Sequence, residues 1–145
     1  MFQFKFEPLL RHRRHLEEDC RKRLADLQTT LLRQENKLGE LFAQKDLQEK
    51  AVRDSQQGKT DVSAILAGMA YLQRLERKVA TQQKVVSRAR KACERQRAEL
   101  MDAMKGRKII EKLKEKGNTA YRAEEARIHQ NLMNEIAINR FSRDR

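Results

Sequence analysis

The tripeptide Gly58-Lys59-Thr60 is the part of this chain closest to a nucleotide-binding motif. It matches the last three residues of a phosphate-binding loop, in which backbone amides and the lysine hold the phosphates of a nucleotide. That loop also needs a strand before it and a glycine five positions earlier, where this chain has Arg53. The sequence therefore argues against nucleotide binding at this point.

Three side chains that could hold a metal ion share one face of the first predicted helix. His12, His15 and Asp19 follow the spacing i, i+3 and i+7, and imidazole and carboxylate groups are zinc ligands. Arginines flank both histidines, and their positive charge opposes cation binding. We interpret the three residues as a solvated face and expect no metal and no other cofactor. His129 stands alone, no serine has a histidine partner at a motif spacing, and the sequence predicts that the protein is not an enzyme.

The composition is typical of long helices rather than of a compact globule. Of 145 residues, 37% are charged and 5% aromatic, with five glycines and one proline. Pro8 is tolerated only in the first turn of a helix, so the first helix should begin near Glu7. The two cysteines, Cys20 and Cys93, fit a reducing compartment and offer no disulfide framework.

Hydrophobic periodicity predicts two helices that each bury one narrow stripe. The first heptad series has eight apolar positions of thirteen. It comprises Leu10, Arg13, Glu17, Cys20, Leu24, Leu27, Leu31, Gln34, Leu38, Leu41, Lys45, Gln48 and Val52. The second series has ten apolar positions of fourteen. It comprises Ile65, Gly68, Leu72, Leu75, Val79, Gln82, Val86, Ala89, Cys93, Gln96, Leu100, Ala103, Arg107 and Ile110.

A single cluster of turn formers separates the two series, and Thr60 or Asp61 can cap the second helix. A short turn between heptad helices favours an antiparallel hairpin, in which residue i faces roughly residue 117 − i. We therefore predict an all-α fold, a long antiparallel two-helix coiled-coil hairpin with a C-terminal helical overhang. Residues 1–145 form one coiled-coil domain, with a helix at about 7–54, a turn at about 55–61 and a helix at about 62–140. In this register Gln96, rather than Cys93, is the nearer residue opposite Cys20.

The net charge of +12 predicts attraction to an acidic partner, which could be nucleic acid, a membrane surface or a protein. Residues 33–61 hold six basic and six acidic side chains, whereas residues 84–114 hold eleven basic and four acidic ones. The hairpin should therefore have a neutral tip and a basic base. Basic and acidic side chains alternate around the helices, and no aromatic platform for stacking bases lies within the basic stretch. The longest apolar run has nine residues, too short to cross a bilayer.

Apolar side chains near the turn are too numerous for one stripe. Leu41, Phe42 and Leu47 cannot all be buried on the first helix, and the beginning of the second helix has the same excess. Some should remain exposed, and such a patch usually marks a binding surface, although local packing or self-association would also account for it.

Several segments, taken in order and spacing along the chain, resemble the FliJ family of flagellar type III export. They are Phe4, Phe6, Leu9, Leu10 and Arg13 at the start, Tyr71-Leu72-x-x-Leu75 in the second helix, the tract Arg107-Lys108-Ile109-Ile110-Glu111-Lys112-Leu113-Lys114-Glu115-Lys116, and Asn134-Glu135-Ile136-Ala137 before Arg140. The resemblance covers essentially the whole chain, with Asn134 where relatives commonly have aspartate.

The resemblance implies a non-enzymatic, stalk-like component of the flagellar export apparatus. Such proteins are similar in shape to the central stalk subunit of rotary ATPases. They are thought to insert the terminal end of the hairpin into the hexameric export ATPase ring and to stimulate it. They also contact the large export gate membrane protein and bind escort chaperones. The implied location is cytoplasmic, at the inner face of the cell membrane, with no nucleic acid and no small-molecule substrate as partner.

Two sets of candidate binding residues follow from charge and from the resemblance. The candidate ATPase-facing residues of the basic base are Arg11, Arg13, Arg14, Arg107 and Lys108. The export-gate-facing surface of the family maps onto Leu41, Gln44, Gln48, Tyr71, Leu75 and Gln82, although Gln44 and Gln48 stand where some relatives carry tyrosine. The alternatives left open are a coiled-coil nucleic-acid-binding arm and a general coiled-coil adaptor.

Overall fold

The computed structural model describes residues 1–58 and 61–144, and almost all of them belong to two α-helices. Helix α1 spans Glu7–Gln57 and helix α2 spans Val62–Arg143. The start of each helix agrees with the prediction, and each helix ends three residues later than predicted. Helix α1 continues through the first three residues of the predicted turn, 55–57, and Lys59 and Thr60 lie outside the described residues.

The residues at the two helix starts agree with what the sequence suggests. Pro8 lies in the first turn of α1, where a missing N–H costs nothing. At the start of α2, the Asp61 carbonyl accepts hydrogen bonds from the N–H groups of Ala64 and Ile65. The Asp61 carboxylate accepts a hydrogen bond from Ser63 Oγ at 2.6 Å, which holds the pKa of Asp61 below its ordinary value. Asp61 is therefore the capping residue that the structure shows.

The helices pack in two units, which we describe separately. The terminal unit consists of Met1–Asp19 and Met101–Arg145, and the middle unit consists of Cys20–Leu100. In each unit a stretch of α1 packs antiparallel to a stretch of α2, so the predicted fold class is confirmed. Every predicted heptad position of both helices is buried or half-buried. The most buried residues are Leu10 and Glu17 in the terminal unit, and Leu75, Val79, Gln82, Val86, Cys93 and Gln96 in the middle unit.

Three glutamines of the seam fix the register of the middle unit. Gln48 Nε2 donates to the carbonyl oxygen of Gly68 at 3.0 Å, and Gln82 Nε2 donates to that of Gln34 at 3.0 Å. Gln96 Nε2 donates to the carbonyl oxygen of Cys20 at 3.2 Å. In each pair the residue numbers add up to 116, whereas the register predicted from the turn gives a sum of 117. Gln96 is thus opposite Cys20, as expected, and both cysteines are free thiols.

Candidate interaction surfaces

A cluster of charged residues holds α1 and α2 together in the terminal unit. The carboxylate of Glu17, which is only 5% exposed, accepts a hydrogen bond from Arg107 Nε. Arg107 Nη1 donates to Glu111 Oε2 at 2.6 Å, and Arg14 lies 3.6 Å from the other oxygen of Glu111. These bonds raise the pKa of Arg107, chiefly through Glu111, and the bond from Arg107 lowers the pKa of Glu111. Arg107 and Arg14 are therefore occupied within the unit.

The other three candidate residues of the basic base differ in their exposure. Arg13 is half-buried, and a Cβ added at Gly106 would lie 3.1 Å from Arg13 Nη1, so this side chain fills the space beside the glycine. Arg11 and Lys108 are exposed, and neither makes an ion pair within the described residues. A partner would therefore meet the charges of Arg11 and Lys108 first.

Aromatic side chains before α1 pack on α2 in the same unit. The rings of Phe2 and Tyr121 are 5.8 Å apart, and a Cβ at Gly117 would lie 3.1 Å from Phe2 Cζ. Lys114 Nζ lies 6.0 Å from the centre of the Phe4 ring and donates to Glu7 Oε2 at 2.8 Å. The phenylalanines of the opening segment therefore extend the packing of α2 as far as Tyr121.

From residue 122 to residue 144, every side chain of the terminal unit is exposed. Large apolar residues are frequent in this stretch, which we call the C-terminal segment. They are Ile128, Leu132, Met133, Ile136, Ile138 and Phe141. The predicted overhang of the second helix is thus helical, and its side chains are not buried.

The six candidate gate-facing residues all lie in the middle unit, but they do not share one surface. Leu75 is 1% exposed and Gln82 is 6% exposed, so both are enclosed between the helices. Leu41 and Gln48 are half-buried in the seam. Gln44 and Tyr71 are exposed, and Arg74 Cζ lies 5.6 Å from the centre of the Tyr71 ring. Of the six residues, Gln44 and Tyr71 are therefore the ones that a partner could contact directly. Their role in binding the export gate stays a prediction.

Several apolar side chains near the turn remain exposed, as predicted. They are Phe42, Leu47, Val62, Leu66, Met69 and Tyr71. Leu66 and Met69 also line a groove with Val52, Ala70, Leu72, Gln73 and Glu76, whereas Tyr71 lies on another side of α2, about 200° around the helix from Met69. An exposed apolar area of this kind is a candidate partner-binding surface.

The residues considered for chemistry are either exposed or outside the described residues. Gly58 follows α1, and the lysine and threonine of the nucleotide-like tripeptide lie outside the described residues. His12, His15 and Asp19 are exposed on α1. Residues 1–58 and 61–144 contain no group of three or more histidine, cysteine, aspartate or glutamate side chains that could hold a metal ion. Within the same ranges, no helix is both long and apolar enough to cross a membrane.

Sequence reasoning missed the partners of the charged seam residues. Simple register places Glu17 opposite residue 100, whereas it binds Arg107. Side chains of a helix lean towards its N-terminus. On antiparallel helices, Glu17 and Arg107 therefore lean towards each other along the helix axis, and their ends meet although their Cα atoms are not directly opposite. The sequence feature that could have predicted this ion pair is the presence of opposite charges at two heptad positions, Glu17 and Arg107.

Two long antiparallel helices, a heptad seam and exposed apolar and basic surfaces define a coiled-coil hairpin that works through binding. A family model described as the flagellar FliJ protein matches residues 2–145, and the chain belongs to this family. The family is a non-catalytic component of the flagellar export apparatus, so the resemblance and the prediction that the protein is not an enzyme are confirmed. No curated protein and no solved structure matches the chain.

Proposed function

We propose that this protein binds and stimulates the hexameric export ATPase through its terminal unit. The observation that carries the proposal is the C-terminal segment, which is helical over residues 122–143 and exposed throughout. A stalk that enters a ring needs such a helix, with side chains that are not already used for packing. Arg11 and Lys108 of the same unit add positive charge that can steer an acidic partner.

The middle unit is proposed to link the ATPase to the export gate and to escort chaperones. Tyr71 and the other exposed apolar residues of this unit support this role, because aromatic side chains are enriched at the centres of protein interfaces. The proposal places the protein in the cytoplasm, at the inner face of the membrane where the gate lies.

Charge reversal at the exposed basic residues tests the ATPase contact. Arg11→Glu combined with Lys108→Glu should reduce stimulation of the export ATPase, most strongly at low salt, because exposed charges are screened as salt rises. Arg14 and Arg107 are left unchanged, since their reversal would disrupt the ion pairs with Glu111.

The matched control is Lys84→Glu combined with Arg88→Glu, which removes the same charge from exposed positions of the middle unit. Stimulation should survive in the control. Equal losses in the two variants would mean that net charge, rather than the terminal unit, governs the encounter. Full stimulation in the first variant at every salt concentration would contradict the proposed role of Arg11 and Lys108.

A further inference from the structure

One face of the C-terminal segment carries an apolar stripe. Ile128, Leu132 and Ile136 follow one another at intervals of four residues, which places them on the same side of the helix. They are 58%, 52% and 41% exposed, respectively. Most helical stability in proteins comes from the packing of such a face rather than from intrinsic propensity. The stripe is therefore a surface that a partner helix would stabilise.

Charged residues lie at both ends of this stripe and have opposite signs. Glu125 lies one turn before Ile128, in the same groove as Tyr121 and Leu132. Its carboxylate interacts with the Tyr121 hydroxyl and makes no ion pair within the described residues, so its charge remains available to a cation. At the other end, Arg140 and Arg143 line a groove together with Ile136. The neighbouring carboxylate, Glu124, is already bound by Arg127 at 2.7 Å, and both arginines of the second groove are free of ion pairs within the described residues.

We propose that the C-terminal segment pairs with the same segment of a second copy of this chain, as an antiparallel two-helix coiled coil centred on Leu132. The two Leu132 side chains meet at the twofold axis, and Ile128 of each copy packs against Ile136 of the other. Glu125 of each copy then lies near Arg140 and Arg143 of the other copy. The stripe is thus self-complementary in shape and in charge, as a twofold interface requires.

The antiparallel direction follows from the charges. In a parallel pair, Glu125 would lie near Glu125 of the other copy, and the arginines would lie near the same arginines. The chain itself shows the favourable arrangement, because in its middle unit Arg90 of α2 binds Glu35 of the antiparallel α1 at 3.1 Å.

Sedimentation equilibrium of the full chain tests the proposal. The wild-type protein should show a reversible monomer–dimer equilibrium. Leu132→Glu should leave only monomer up to concentrations at least tenfold above the wild-type dissociation constant, because it places two carboxylates at the axis. Helicity should be unchanged, since Leu132 is exposed in the single chain. Leu32→Glu is the matched control in the middle unit, at a residue of similar exposure outside the candidate binding surfaces, and should dimerise like wild type.

A charge-swap cycle tests the direction. Glu125→Arg alone, and Arg140→Glu with Arg143→Glu, should each weaken the dimer several-fold, and the combination of all three should restore it. A wild-type protein that stays monomeric, or a dimer that survives Leu132→Glu, would overturn the proposal. A further variant, Leu66→Glu, changes an exposed apolar residue near the turn. Loss of the dimer in Leu66→Glu but not in Leu132→Glu would place the interface in the middle unit instead, and a triple variant that remains weak would exclude the antiparallel pairing.

The dimer would cover the same helix that we propose for the ATPase, so the two associations should compete. The sedimentation measurements contain no ATPase. A failure of the dimer and a failure of the ATPase contact are therefore detected separately.

Discussion

Basic residues of the terminal unit have two different roles at the scale of the single side chain. Arg107 lies between Glu17 and Glu111 and is 21% exposed, so its charge is used to join the helices. Arg11 and Lys108 are exposed and make no ion pair within the described residues. A count of basic residues therefore overstates the charge that a partner meets.

Removal of the buried carboxylate should destabilise the terminal unit. We expect Glu17→Ala to lower the free energy of unfolding by about 1–3 kcal/mol, because Arg107 loses one of its two hydrogen-bonded partners in a mostly buried position. Glu18→Ala, at the exposed neighbouring position, should stay within about 0.5 kcal/mol of wild type. Urea denaturation followed by circular dichroism measures both. Equal stability of the two variants would show that the Glu17 contact contributes nothing net.

Two ion pairs of the terminal unit should make the free energy of unfolding depend on pH. Lys114 lowers the pKa of Glu7, and Arg107 lowers that of Glu111, both relative to an ordinary value of 4.5. A group with a lowered folded pKa contributes its stability in full above the unfolded pKa and loses it as the pH falls through the folded pKa. We therefore expect the free energy of unfolding to decline as the pH falls below about 4.5.

Glu111→Gln isolates one of these groups. The variant should be less stable than wild type at neutral pH, and its stability should decline less between about pH 5 and pH 3. Glu115→Gln, an exposed position without an ion pair in the described residues, is the control and should follow the wild-type profile. Parallel profiles for Glu111→Gln and wild type would contradict the assignment.

At the scale of the helix, the heptad pattern predicted which residues are buried but not what the polar ones do. The cluster of turn formers and the heptad spacing, in which apolar positions alternate at intervals of three and four residues, located both helices and placed Gln82 and Gln96 in the seam. The sequence could not show that each side chain amide donates to a backbone carbonyl of the facing helix, as Gln82 does to Gln34. That outcome depends on the register to within one residue and on the direction in which side chains lean.

Two glycines of the middle unit give a matched test of helix packing. A Cβ at Gly39 would meet nothing within 4 Å, whereas a Cβ at Gly68 would lie 3.3 Å from Gln48 Nε2 and from Val52 Cγ2. Gly39→Ala should raise the free energy of unfolding by roughly 0.5–1 kcal/mol, because alanine loses less backbone entropy on folding. Gly68→Ala should bring no gain, since the stiff Val52 side chain would have to move. A similar gain in both variants, measured by denaturant titration, would mean that the seam is loose at Gly68.

At the scale of the molecule, the candidate binding surfaces lie in different units. The exposed basic residues and the C-terminal segment belong to the terminal unit, and Tyr71 and the other exposed apolar residues near the turn belong to the middle unit. The resemblance to relatives indicated both regions, but mapping by position also selected Leu75 and Gln82, which the heptad pattern already assigned to the interior. Burial is decided by the facing helix of this chain, which a position-by-position comparison does not contain. If the protein links two partners as we propose, a change to one surface should remove one contact and leave the other.

Tyr71→Ala tests this separation. The tyrosine is 41% exposed and contacts Arg74 by a cation–π interaction, so its removal should cost less than about 1 kcal/mol of stability. It should weaken binding to the export gate protein and leave ATPase stimulation unchanged, because the proposed ATPase contact lies in the terminal unit. Leu32→Ala, an exposed apolar position of α1 in the same unit, should affect neither activity. Pull-down and ATPase assays on the folded variants measure both. A loss of both activities in Tyr71→Ala with helicity intact would contradict separate surfaces, and a variant that binds the gate normally would contradict the proposed role of Tyr71 in that contact.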